Sequence, residues 1–217
     1  MSLLKPVVYD AGMQRQVAPG DAVGAGEAID TSMVTVGAMT ILAANILAGI
    51  IQRGGAQGGG FVDTTDTSTN LLAGMAQGAG IQNGTSFRFI ISNLAATGQT
   101  ETIAGGTGVT ASGILTIATG SWAEFLLTVV NGTAGSIQTA ATVNGSAVIT
   151  GMTQAATNAI APGMLVTGTG IPAAATILSV QAGVGFTLSA NATATNNPVA
   201  LTFLPTMTLK RVRGGTN

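Results

Sequence analysis

Between Glu124 and Lys210 the chain carries no charged side chain. The 85 residues from 125 to 209 hold short apolar runs such as SAVITGM, GMLVTG, ATILSV, GFTLSA and VALTF. β-Branched residues are frequent in these runs, and glycine or asparagine separates them. That is a pattern of strands and turns. A segment without ionisable groups also supplies no general acid or base.

The rest of the chain narrows the chemistry further. Only 7% of its 217 residues are charged, against about 25% in ordinary globular chains. Such a surface stays in water through Thr, Ser, Asn and Gln, or it is covered in an assembly. There is no Cys and no His, so thiolate nucleophiles and Ser-His-Asp triads are excluded and zinc sites lose their usual ligands. No catalytic, cofactor-binding or metal-ligating set is expected. A net charge of −1 gives no electrostatic reason to expect nucleic acid. No membrane span is expected either. The most apolar stretch, AMTILAANILAGII, is interrupted by polar residues and falls short of the roughly 20 apolar residues a spanning helix needs.

Along the chain, residues 1–32 read as an extended N-terminal arm with two prolines and six of the fifteen charged side chains. Thr40 is placed to cap a short helix ended by Gly49, with IIQR continuing as a strand. Asp66 is placed to cap a second helix running to about Met75. From residue 85 the pattern alternates. Phe87, Phe89 and Ile91 share one face, and Arg88, Ile90 and Ser92 the other. Ala123, Phe125, Leu127 and Val129 face opposite to Trp122, Glu124, Leu126 and Thr128. The expected fold is all-β. A β-sandwich or jelly-roll-like domain with one or two short helices spans residues 33–141. A chargeless β module, 142–204, is inserted into it, and strand 206–213 completes the domain.

Several motifs have a bland reading that prevails. Gly168-x-Gly170-x-x-Ala173 has the spacing of a dinucleotide loop, but no acidic residue follows Glu124 to hold a ribose, and the β-branched run after Pro172 favours a strand. GGAQGGG lacks the Lys-Ser/Thr of a phosphate loop. Asp63, Asp66 and Asn70 do not have calcium-loop spacing. Glu101 and Glu124 are the only acids of the β region. A surface role, solvated or paired with Arg88, is expected for them rather than a glycosidase pair. The Asn-x-Ser/Thr sites at Asn83, Asn131, Asn144 and Asn191 read as turns. The basic end LKRVRGGTN reads as a solvated tail. Trp122, flanked by apolar residues, reads as core.

Longer stretches carry a resemblance. The run LAGIIQRGG…FVDTTDTSTNLLAG…GTSFRFIISNLA…TGQTETIAGGTGVTASG…SWAEFLLTVVN resembles a recurrent segment of tailed-bacteriophage virion proteins. The opening YDAGMQRQVAPGDAV looks like the start of many phage structural proteins. The region GMLVTGTGIPAAATILSV…GFTLSANATAT…ALTF is similar to a β module of phage head and tail proteins. The resemblance implies a capsid decoration (cement) protein on the outer head surface of a virion assembled in the host cytoplasm. Its partners would be the major capsid protein and copies of itself, as a homotrimer, with no cofactor. Tyr9, Arg15 and Asp21 of the arm would contact capsid or neighbouring subunits. A tail or head fibre or tip component, binding receptor or carbohydrate, is the alternative, with Trp122 as its candidate residue.

Overall fold

A computed structural model of the chain describes residues 7–10, 13–16, 30–75 and 81–216. In the arm, β1 (Val7–Asp10) and β2 (Met13–Gln16) pair antiparallel with each other. The first unit then runs through β3 (Asp30–Met33), β4 (Thr40–Ile41), α1 (Ala43–Ala48), β5 (Ile50–Arg53), β6 (Phe61–Thr65) and α2 (Ser68–Met75). It continues through β7 (Ser86–Asn93), β8 (Glu101–Ala104), β9 (Val109–Ser112), β10 (Thr116–Ile117) and β11 (Ser121–Asn131). The second unit holds β12 (Ser136–Thr142), β13 (Val148–Ile149), α3 (Gln154–Asn158), β14 (Leu165–Gly168), β15 (Ile177–Gln181), β16 (Gly185–Leu188) and β17 (Asn196–Leu204). The last strand is β18 (Thr206–Thr216).

The protein is mostly β, as expected, with two sheets enclosing the core of the first unit. One sheet has the order β3-β5-β7-β11-β18-β9 and the other β10-β8-β6-β4. The pairing is not that of a jelly roll, whose sheets are antiparallel. From β3 to β8 the chain alternates between the two sheets, and each strand pairs parallel with the next strand of its own sheet. Parallel neighbours need a crossover connection. Here the strand of the opposite sheet serves as that crossover, so the chain winds in coils around the core. The sense then changes. β10 pairs antiparallel with β8, and β11 antiparallel with β7 and β18.

The alternation read from the sequence defines the faces. Ala123, Phe125, Leu127 and Val129 point inward and are wholly buried, and Phe125 stacks on Phe89 of the neighbouring strand at 5.6 Å. Both sheets feed this core, Ile41, Ile103 and Ile117 from one and Ile51, Ile91 and Leu209 from the other. The helices start slightly later than expected. Thr40 lies in β4, Leu42 precedes the first turn of α1, and the Asn45 side chain accepts the Leu42 backbone N–H. Thr67 precedes α2, its hydroxyl accepting from the Asn70 backbone N–H, while Asp66 accepts from the Thr67 backbone and the Asn70 side chain.

Three boundaries move. Residues 30–32 of the expected arm join Met33 in the edge strand β3, so the arm ends before Asp30. β12 pairs with β17, so the second unit begins at Ser136 rather than 142. The break is the small-residue loop Gly132–Gly135, which in a chargeless run leaves no shift in composition. The basic end is not a tail. β18 pairs with β11 as far as Thr216↔Ser121, and its ladders are with β11 and β9. The second unit has its own core between β12-β17-β14 and β13-β16-β15, where Phe186 meets Phe203 edge to face at 5.3 Å. The glycine-rich stretch 163–180 is the β14–β15 corner of this unit. Gly170 takes φ +79° there, and a Cβ on it would lie 3.0 Å from Ala194 Cβ.

Candidate functional site

Two clusters of ionisable side chains stand out, one inside the first unit and one on its surface. The inner cluster follows from strand parity. With Ile51 inward on β5, Arg53 is inward too. Phe61 inward on β6 carries Asp63 inward, and Ile103 on β8 does the same for Glu101. All three charged residues are at most 1% exposed. Arg53 Nε donates to Asp63 Oδ2 at 2.6 Å, and Nη2 to Asp63 Oδ1 at 3.3 Å. Nη1 donates to the carbonyls of Met33 and Thr35 at 2.9 and 2.8 Å, and Nη2 also donates to the carbonyl of Gly37. All five guanidinium N–H groups are thereby used. The Phe61 ring lies 4.7 Å from the guanidinium carbon. Asp63 also accepts the Met39 backbone N–H at 2.8 Å.

Glu101 lacks such support. As a carboxylate it has no donor to accept from, and as the neutral acid it donates to Asp63. Burial, reinforced by the negative charge of Asp63, pushes its carboxyl up to about 8 against the pull of Arg53. At neutral pH it is the neutral acid, so it adds no charge to the buried Arg53–Asp63 ion pair. A carboxyl with raised proton affinity beside a carboxylate is a familiar sign of acid–base chemistry. Here the groups are sealed between two sheets. What they do is tie the 33–39 loop to β5 and β6. The surface position expected for Glu101 is therefore corrected, and Glu101 and Glu124 lie in different sheets.

The surface cluster lies on the outer face of the larger sheet. Glu124 is opposite Arg213 on β18 and diagonal to Arg88 on β7. It accepts from Arg88 Nη1 at 3.1 Å and from Arg213 Nε at 2.5 Å. Desolvation pushes its carboxyl up, but the hydrogen bonds and charges of the two arginines outweigh this and hold it below the usual range. The Glu124 side chain is 8% exposed, while those of Arg88 and Arg213 are 57% and 68% exposed. Trp122 stands beside them, half-buried on the outer face rather than in the core. Arg213 lies 5.9 Å from the centre of its ring, and Gly215, opposite on β18, gives the indole a flat bed.

A bulge in β18 separates this face from a groove. The register shifts between Arg213, opposite Glu124, and Arg211, opposite Phe125, leaving Val212 as the extra residue. Arg211 is thereby turned toward the open end of the sandwich, where its Nη1 donates to the Thr116 carbonyl at 2.7 Å. It lines a groove of about 510 Å³ with Thr100, Ile114, Thr116 and Ser121.

Of the residues expected to make contacts, Tyr9 pairs with Gln14 and Arg15 with Val8 in the β1–β2 hairpin, and Asp21 lies outside the described residues. Among the described residues no group of three or more acidic side chains is placed to hold a metal, and no helix is long and apolar enough to cross a membrane. No protein-family model, curated protein or solved structure gives a significant match to the chain.

Proposed function

We propose that the chain is a structural protein of a tailed-phage virion, a capsid decoration (cement) protein that binds and stabilises the outer head surface by adhesion rather than catalysis. The observation that supports this reading most is where the ionisable groups stand. The carboxyl with the strongly raised proton affinity, Glu101, is closed inside a core, and Arg88, Lys210 and Arg213 are presented on an open sheet face with Glu124 held between the two arginines. Such a face suits contact with another surface. The partners are the major capsid protein and further copies of the chain, as a homotrimer. The N-terminal arm, with Tyr9, Arg15 and Asp21, ties neighbouring subunits together. Its ordering entropy is offset when it packs into a groove or adds a strand. The test is sedimentation of purified protein with undecorated heads, beside a chain lacking residues 1–29. The full chain is expected to travel with the heads, and the truncated chain to stay free as a folded oligomer. A full chain that ignores heads refutes decoration, and a truncated chain that still binds refutes the role of the arm.

The placement of Trp122 on the outer face beside Arg213 favours a second reading, a fibre or tip component that binds receptor or carbohydrate. Binding on a glycan array that disappears in a folded Trp122→Ala variant would decide for it.

A further inference from the structure

We infer that the C-terminal half of β18, with Arg88 beside it, is a docking surface for a carboxylate-rich patch of a protein partner. Four cations of the first unit lie outside its core, Arg88, Lys210, Arg211 and Arg213. Glu124 is the single carboxylate among them. The other carboxylate outside the core with a described side chain, Asp66, is at the start of α2. In a chain this poor in charge, the concentration of positive charge on two strands of one sheet sets an attractive field for an acidic surface.

The geometry prepares the cations for a partner. Glu124 takes one donor from each of Arg88 and Arg213, which tethers two side chains that are otherwise mostly exposed. Arginine in that posture binds carboxylate in fork geometry with little further loss of freedom. Arg211 reaches into the groove at the end of the sandwich, has only the Thr116 carbonyl as hydrogen-bond partner and has no carboxylate within salt-bridge distance among the described residues. Exposed apolar groups flank the cations. Ile114 is 72% and Val212 44% exposed, and Trp122 is half-buried beside Arg213. Arginines set beside an aromatic and exposed apolar side chains have the composition of a protein–protein contact. A net charge of −1 gives the chain no general attraction for the phosphates of a nucleic acid.

Only the identity of the partner, a capsid subunit, rests on the function proposed above. The binding itself is tested without heads. Trp122 is the single tryptophan of the chain, so its emission reports on the patch directly. The full-length protein is titrated at low salt with hexaglutamate, hexalysine and hexathymidylate. Hexaglutamate is expected to shift the Trp122 emission, and hexalysine is not. Lys210→Gln and Arg213→Gln should each weaken the hexaglutamate response about tenfold, as expected for one charge-assisted contact. The response should vanish in about 1 M salt, where screening acts within roughly 3 Å. The inference fails if hexaglutamate gives no response, if hexathymidylate binds as tightly, or if neither variant weakens binding. Should Arg213→Gln not fold, Lys210→Gln decides, because Lys210 is exposed. Heads decorated by a protein that ignores hexaglutamate refute this surface alone, and a response without decoration of heads refutes the virion reading alone.

Discussion

Replacing Glu101 by glutamine should change how the stability of the first unit depends on pH. Glutamine keeps the shape of the buried acid and removes its titration. The Glu101 carboxyl is raised from 4.5 to about 8 in the folded chain. Below pH 4.5 it is protonated in both folded and unfolded chains, so it imposes no penalty there. Above 4.5 the unfolded chain loses the proton and the folded chain keeps it, so folding is penalised increasingly as pH rises. Above about 8 both states are ionised and the penalty levels off. At about 1.4 kcal/mol per unit, the penalty is about 3 kcal/mol at pH 7 and about 5 kcal/mol at its plateau. That is a large part of the 5–15 kcal/mol that holds a typical domain together. Glu101 is fully buried, so solvent screening does not reduce it. The glutamine amide can donate to Asp63 as the protonated carboxyl does, and because it does not titrate, any cost of the replacement is the same at every pH. The diagnostic quantity is therefore the slope. Urea unfolding followed by Trp122 emission at pH 5, 6, 7 and 8 should show the wild-type chain losing stability steadily relative to Glu101→Gln. Two parallel stability curves over that range would refute the assignment of a neutral, buried Glu101.

Two further substitutions probe the same architecture. Arg53→Met should destabilise the first unit by about 3–5 kcal/mol, because it leaves Asp63 without its buried ion-pair partner, leaves the Gly37 carbonyl without this donor and leaves Met33 and Thr35 only their bonds from Gly54 and Gln57. Urea denaturation measures it, and a loss under about 1 kcal/mol would contradict the bracing role. Gly108 has φ +80°, and a Cβ on it would overlap Ser68 Oγ and lie 2.8 Å from the Pro205 carbonyl oxygen. Gly108→Ala should cost more than the roughly 1 kcal/mol of backbone strain alone, read as a fall in melting temperature, and an unchanged melting temperature would show that the neighbouring loop yields freely.

Much of the fold was legible from parity. The inward sets Phe89 and Ile91, and Ala123, Phe125, Leu127 and Val129, follow directly from alternation along two strands. Parity also held the signal for the inner cluster. Arg53, Asp63 and Glu101 each stand two residues from a large apolar side chain on the same strand, Ile51, Phe61 and Ile103. Residue type argued for the surface, since lone charges are rarely buried, and it masked the pattern. Only the joint occurrence of one cation and two acids at inward positions shows how they compensate one another. Parity likewise put Trp122 on the face of Glu124, while its apolar flanks argued for the core. Pairing was beyond reach, because alternation assigns a face and not a neighbour. The parallel coils of β3 to β8, and the attachment of β18 to β9, depend on contacts between strands far apart in sequence.

The path of the chain explains why the buried arginine is where it is. In a coil that alternates between sheets, each connection from β3 to β4 and from β5 to β6 must cross the end of the sandwich with its backbone carbonyls unpaired by any ladder. The 33–37 segment is the first of these crossings, and the carbonyls of Met33, Thr35 and Gly37 accept from Arg53, the first also from the Gly54 backbone N–H. A guanidinium supplies five donors from a single side chain, which no uncharged residue can match. Its charge then requires an acid on the facing sheet, and Asp63 of β6 meets it. Glu101 belongs to the next strand of that same sheet, where a second anion would be repelled by Asp63 and desolvated by the core. Protonation is the state that avoids both. The cluster is thus a consequence of winding: the crossing calls for the cation, the cation for one carboxylate, and the neighbouring acid remains in place only by holding its proton.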